Sequence, residues 1–125
     1  MTIDTITEES IKLIINAFYK KVRTNEELAP IFEAAIGKTD AEWQPHLEVM
    51  YAFWSSLMLG SGRYQGNPMR KHMELPPFNA GLFDTWLALF AETAREIHPE
   101  PIADLYITRS KRIAESLKLG LYYKP

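Results

Sequence analysis

Cysteine is absent from the 125-residue chain. Disulfide frameworks, thiolate nucleophiles and cysteine-built zinc sites are thereby excluded, and a reducing compartment is compatible with the sequence. Blocks of like charge are also missing, and the formal net charge is only −2. Nucleic acid and anionic membrane surfaces are therefore not expected partners. The longest strongly apolar window, Met50 to Leu59, contains Ser55 and Ser56 and falls far short of a membrane span. Met1-Thr2-Ile3-Asp4 lacks a basic region and an apolar core, so no signal peptide is expected and the expected location is the cytoplasm. No paired carboxylates have acid–base spacing, and no serine stands in a nucleophile motif. The glycine-rich loop Gly60-Ser61-Gly62-Arg63-Tyr64-Gln65-Gly66 lacks the Lys-Ser or Lys-Thr pair of a phosphate-binding loop. Alternating strand patterns are lacking too, which leaves helices to carry the fold.

The chain is expected to form one domain, residues 1–125, large enough to bury a core. Thr5-Ile6-Thr7-Glu8 reads as a capping box, followed by Ile11, Ile14, Ile15, Phe18 and Val22 at helical spacing. Thr24-Asn25-Glu26-Glu27 reads as a new helical turn that Pro30 interrupts, with a short helix to Gly37 and Phe32 facing inward. Thr39-Asp40-Ala41-Glu42 is a further capping box. It opens a helix from about Asp40 to Leu59, which Pro45 should distort near Trp43 to Pro45. His46, Met50, Phe53, Trp54 and Leu57 share one face of it. An irregular stretch is expected from Gly60 to Phe78. Asn79 then caps a helix carrying Phe83, Trp86, Leu87, Phe90, Ala94 and Ile97. Pro101 opens the last helix, with Ile102, Tyr106, Ile113, Leu117 and Leu121 inward and an end at Gly120.

Three histidines each precede a glutamate by two positions, but residues two apart point to different sides of a helix and cannot share a metal. His98, at a helix end before Pro99, suits a capping role. His72 lies between Asn67-Pro68, an N-cap with proline at the first helical position, and Pro76-Pro77, which forces helix to finish by about Leu75. A residue pinned in this way reads either as a metal ligand or as a partly buried loop cap. Tyr19 lies four after Ile15 on an apolar face, so its hydroxyl is either satisfied within the core or aimed into a pocket. Each feature alone is ordinary core. Taken together, two histidines, a tyrosine and a tryptophan on four separate helices describe an apolar pocket with a few inward polar groups, as a large flat cofactor needs.

The order of these residues resembles the truncated haemoglobins, in particular their third group. The resemblance runs from Phe18-Tyr19 through Pro30-Ile31-Phe32, His46, Phe53-Trp54 and His72-Met73-Glu74-Leu75-Pro76-Pro77-Phe78 to Trp86, with His-x-x-Leu-Pro-Pro-Phe its most specific piece. It implies an all-α, globin-like fold, a truncated two-over-two helical sandwich around haem b. It further implies that His72 is the iron ligand and that Tyr19, His46 and Trp86 are the distal residues. Phe32, Met50, Trp54, Tyr64, Met69, Leu75 and Phe78 are then haem-contacting positions, joined by His46 and Trp86. Pro45 is not matched by the family pattern. One proximal histidine leaves the opposite iron position open to dioxygen, nitric oxide, cyanide or carbon monoxide. Two or three distal donors at ~1–2 kcal/mol each slow release, which favours ligand capture or redox chemistry over bulk oxygen transport. Nitric oxide dioxygenase-like or peroxidase-like activity, fed by an electron donor, is the corresponding expectation. The alternative is a cofactor-free helical interaction or sensor domain whose histidines are structural.

Overall fold

The computed structural model describes residues 2–68, 72 and 78–122. Among these, the chain forms five α-helices and no strand: α1 Glu8–Thr24, α2 Ala29–Ile36, α3 Asp40–Leu59, α4 Leu82–Ile97 and α5 Glu100–Tyr122. The α1 stripe of Ile11, Ile14, Ile15, Phe18 and Val22 is fully buried. Each of these side chains contributes roughly 1.5–3 kcal/mol through burial. α1 packs on both α3 and α4, and α4 packs most extensively on α5. The pairs α1/α3 and α4/α5 thus form a two-over-two sandwich, with the aromatic core of Phe18, Trp54, Phe90 and Tyr106 between them. No described helix is long and apolar enough to cross a membrane.

Local chemistry moved several of the expected boundaries. The cap of α1 is Thr7, whose hydroxyl accepts from the Ser10 amide at 3.0 Å while the Ser10 hydroxyl accepts from the Thr7 amide at 2.8 Å. Glu8 is not in this box, because its carboxylate is engaged by Ser55 and Arg63. Pro30 begins α2 rather than interrupting a helix, since first-turn positions need no amide donor. Asn25 instead closes the preceding turn by accepting from the amides of Glu27 and Leu28. The Thr39–Glu42 box forms as expected, and α3 continues through Pro45 to Leu59 without interruption. Pro45 lies on the exposed side of the helix. Gly60 ends α3 in the left-handed conformation, φ 65°, its amide donating to the Ser56 carbonyl.

Asn79 accepts from the Gly81 amide one turn before α4 and does not cap that helix itself, whose N-cap is Gly81. Gly120 does not end α5, which reaches Tyr122. His98 is the C-cap residue of α4, but its side chain acts over a long range. The ring is buried, stacks on Tyr106 at 5.3 Å, and donates from Nδ1 to the Ile3 carbonyl at 2.7 Å. With the Ile3 amide bonded to the Ile97 carbonyl, this fastens the chain start to the end of α4.

Candidate functional site

α3 buries two flanks unequally. Trp43, Tyr51, Trp54 and Ser55 are buried, whereas His46, Met50, Phe53 and Leu57 are half-buried. The expected stripe is therefore split. Trp54 lies in the core, stacked on Phe90 at 4.8 Å and tilted against Tyr106 at 5.8 Å. Tyr51 faces α1, where its hydroxyl donates to the Asn16 side-chain carbonyl.

The half-buried flank carries His46, whose Nε2 is buried and has no hydrogen-bond partner among the described residues. An orphaned buried nitrogen costs roughly 1–3 kcal/mol. His98 Nε2 and Tyr106 Oη are orphaned in the same way within the core, so what sets His46 apart is its place between Tyr19 and His72. Burial pushes the pKa of His46 down to about 4, and repulsion from His72 adds to the shift. Two consequences follow: the ring is neutral at physiological pH, and His46 and His72 lie within electrostatic reach of each other.

His72 is oriented differently. It and Pro68 both have helical backbone, and its Nδ1 lies 2.7 Å from the Pro68 carbonyl oxygen. A carbonyl only accepts, so Nδ1 carries the proton and the Nε2 of the neutral ring keeps its lone pair. Metal-binding histidines are held in the same way, by a hydrogen bond that fixes tautomer and direction. The expected Pro76-Pro77 stop, and the positions of Met69 and Leu75, lie outside the described residues.

α1 and α4 complete the cluster. Tyr19 is buried and stands perpendicular to His46 with ring centres 5.0 Å apart. Burial raises its pKa, so the phenol keeps its proton and acts as a donor. Phe32 of α2 lies 6.0 Å from it. Phe18 bridges Tyr19 at 4.9 Å and Trp86 at 5.4 Å, and Trp86 stacks parallel to Phe90 at 5.6 Å. Tyr19, Phe32, His46 and Trp86 are thus joined in one aromatic network. Met50 packs against its edge one turn after His46. Two other candidates make further ring contacts, Tyr64 joining the network through Phe53, which lies 5.8 Å from Trp54. Tyr64 packs edge-on to Phe53 at 5.1 Å, its amide bonded to the Ser56 hydroxyl. Phe78 sits 5.7 Å from Phe83 in a second cluster with Ala114 and Leu117.

Among the residues of this network absent from the candidate set are Phe18, Phe90 and Trp43, whose ring lies 5.5 Å from His46 and 5.8 Å from Tyr19. Trp43 is three positions before His46, neighbouring it on the helix surface, and that spacing was the available signal.

Among the described residues, no group of three or more His, Asp or Glu side chains could hold a bare metal ion. One axial histidine suffices when a macrocycle supplies the remaining ligands. The donor set consequently fits haem, which His72 would hold through its Nε2. A groove of about 650 Å³ between α1, α2 and α3 is lined by Arg23, Lys38 and Asp40 at its charged rim and also by Tyr19 and Trp43 of the aromatic cluster.

No protein-family model matches the chain. The group 3 truncated hemoglobin of Campylobacter jejuni is 39% identical to it over 122 residues, spanning 98% of this chain and 96% of the relative. The crystal structure of the group III truncated hemoglobin from Campylobacter jejuni superposes with a TM-score of 0.94 at 39% identity, again covering 98% and 96% of the two chains. The helical order, the two histidines and this similarity over nearly the full length place the chain in the group III truncated haemoglobins, a family of haem-based binders of small ligands.

Proposed function

We propose that the chain holds haem b through His72 and offers Tyr19, His46 and Trp86 to a small diatomic ligand on the other side. Dioxygen, nitric oxide, carbon monoxide and cyanide have the right size and electronic character. The observation that carries this reading is the His72 Nδ1 bond to the Pro68 carbonyl, which commits Nε2 to an outward lone pair in a fixed direction. When bound, the haem supplies a redox-active iron with one position open to such ligands.

The protein's part is to bind, orient and donate. Tyr19 is protonated, as its burial dictates, and donates toward partial negative charge on the ligand. The Trp86 indole N–H can do the same from α4. Each such bond is worth ~1–2 kcal/mol, roughly ten-fold in lifetime. His46, neutral and orphaned, supplies a third polar contact or a gate. Met50 and Phe32 exclude water at the edges, with Tyr64 and Phe78 as outer haem contacts, Met69 and Leu75 as further ones, and Trp54 as the wall behind. Slow release suits ligand capture, or nitric oxide dioxygenation or peroxide chemistry supplied by an electron donor, better than bulk oxygen transport. Membership of the family supports this over a cofactor-free helical interaction domain.

Colour tests the reading at once. The purified protein should absorb intensely near 400 nm, roughly, and the band should shift when the reduced sample meets carbon monoxide. A colourless protein that binds no added haemin would overturn it.

A further inference from the structure

The distal cluster has a member whose work is indirect. Trp43 is 1% exposed, and its indole N–H donates to the Gly37 carbonyl at 3.0 Å. That carbonyl belongs to a rigid corner between α2 and α3. Gly37 has φ 126°, and a Cβ there would collide with the Glu42 carboxylate that closes the capping box. The face of the indole is held as well. The Arg23 guanidinium lies 5.0 Å from a ring centre and is itself tied to Asp40 at 2.8 Å and to the Lys38 carbonyl at 3.0 Å. Phe32 stacks nearby at 6.2 Å.

The opposite holds for His46. Its Nε2 has no partner, and Pro45 before it removes one backbone hydrogen bond of the helix. What touches the ring is Trp43, perpendicular at 5.5 Å, and Tyr19, perpendicular at 5.0 Å. Tyr19 and Trp43 are themselves 5.8 Å apart. The three rings form a closed triangle in which, among the described residues, Trp43 alone is tied to backbone through its polar edge.

We propose that Trp43 is the positioning residue of the distal side: anchored to the α2–α3 corner by Gly37 and to α1 by Arg23, it sets the direction of the His46 ring toward the ligand. This rests on the distal assignment above and adds to it a residue that need not touch the ligand.

Trp43→Phe, which deletes the indole N–H and keeps an aromatic ring, tests the inference in the haem-loaded protein. The carbon monoxide stretch of the reduced adduct reports the polarity beside the ligand, and loss of stability alone does not move it. Trp43→Phe should split or shift that band and change ligand dissociation by roughly three- to ten-fold. In a His46→Leu background the same substitution should leave the band in place and change the rate by less than about two-fold, since coupled residues lose their effect together. Arg23→Met, which leaves the indole and its bond to the Gly37 carbonyl intact, should move the band in the same direction by less. An unchanged band in Trp43→Phe, or equal effects with and without His46, overturns the proposal. Should Trp43→Phe fail to fold, an unchanged Arg23→Met spectrum overturns it. Failure of the functional reading is separable, because it appears as a wild-type protein without haem or as Tyr19→Phe and Trp86→Phe rates equal to wild type.

Discussion

His72 and His46 are held by opposite means. The first has Nδ1 committed to a backbone carbonyl four residues earlier, and the second has a buried nitrogen with no partner and a ring confined by other rings. A hydrogen bond fixes direction, as a metal ligand requires. Ring packing holds the second ring while leaving its Nε2 unbonded, as a residue that must meet an incoming ligand requires. In the proposed function the same residue type serves two roles, and the difference lies in what engages each ring.

The comparison breaks most visibly by removing one histidine at a time. His72→Gly should lose most haem on desalting, with added imidazole restoring a five-coordinate reduced spectrum, whereas His46→Leu should keep its haem and change mainly ligand kinetics. Absorbance against protein concentration after gel filtration measures both. Phe18→Ala comes next, because this buried ring joins Tyr19, Trp86 and Phe90. About 3–5 kcal/mol of stability should disappear in chemical denaturation, with faster ligand release as both donors lose their support.

Single-donor changes are smaller. Tyr19→Phe and Trp86→Phe should each alter dioxygen dissociation by roughly ten-fold, measured by stopped-flow displacement. Rates equal to wild type in both variants would place these groups away from the ligand. The smallest effect concerns pH. His46 has a folded pKa of about 4 against 6.5 for the free ring, so the unfolded chain binds the proton first. The stability linked to neutral His46 is complete above about pH 6.5 and is lost as pH falls toward 4, by on the order of 1 kcal/mol after allowance for partial exposure. Denaturation curves at pH 7 and pH 4.5 should converge in part when His46→Leu removes this group.

Much of this architecture was legible in residue order. The α1 stripe from Ile11 to Val22 is apolar at every helical position, so one core is the natural reading. α3 was harder to read, because its two flanks are both aromatic and apolar. Hydrophobicity cannot tell a buried side chain packed on α1, such as Trp43 or Tyr51, from a half-buried one assigned to a cofactor in the proposed function, such as His46 or Met50. The Thr7–Ser10 cap was hidden behind a competing Thr5–Glu8 pair, since Glu8 found partners in Ser55 and Arg63 from far along the chain. For His72 the local prolines pointed to a fixed ring, but the Nδ1 contact that fixes it needed coordinates. Long-range pairing is what sequence periodicity omits, and it is here that Trp43 joined the distal side.

In the proposed function His72 alone ligates the iron, and the Tyr19–His46–Trp86 side stays open to ligand. The coordination state of the reduced protein before any gas is added tests it most directly, by resonance Raman and visible absorption on one sample. A five-coordinate spectrum with an iron–histidine stretch that disappears in His72→Gly is the predicted result. A six-coordinate low-spin spectrum that becomes five-coordinate in His46→Leu would show that His46 closes the site, and would contradict the account.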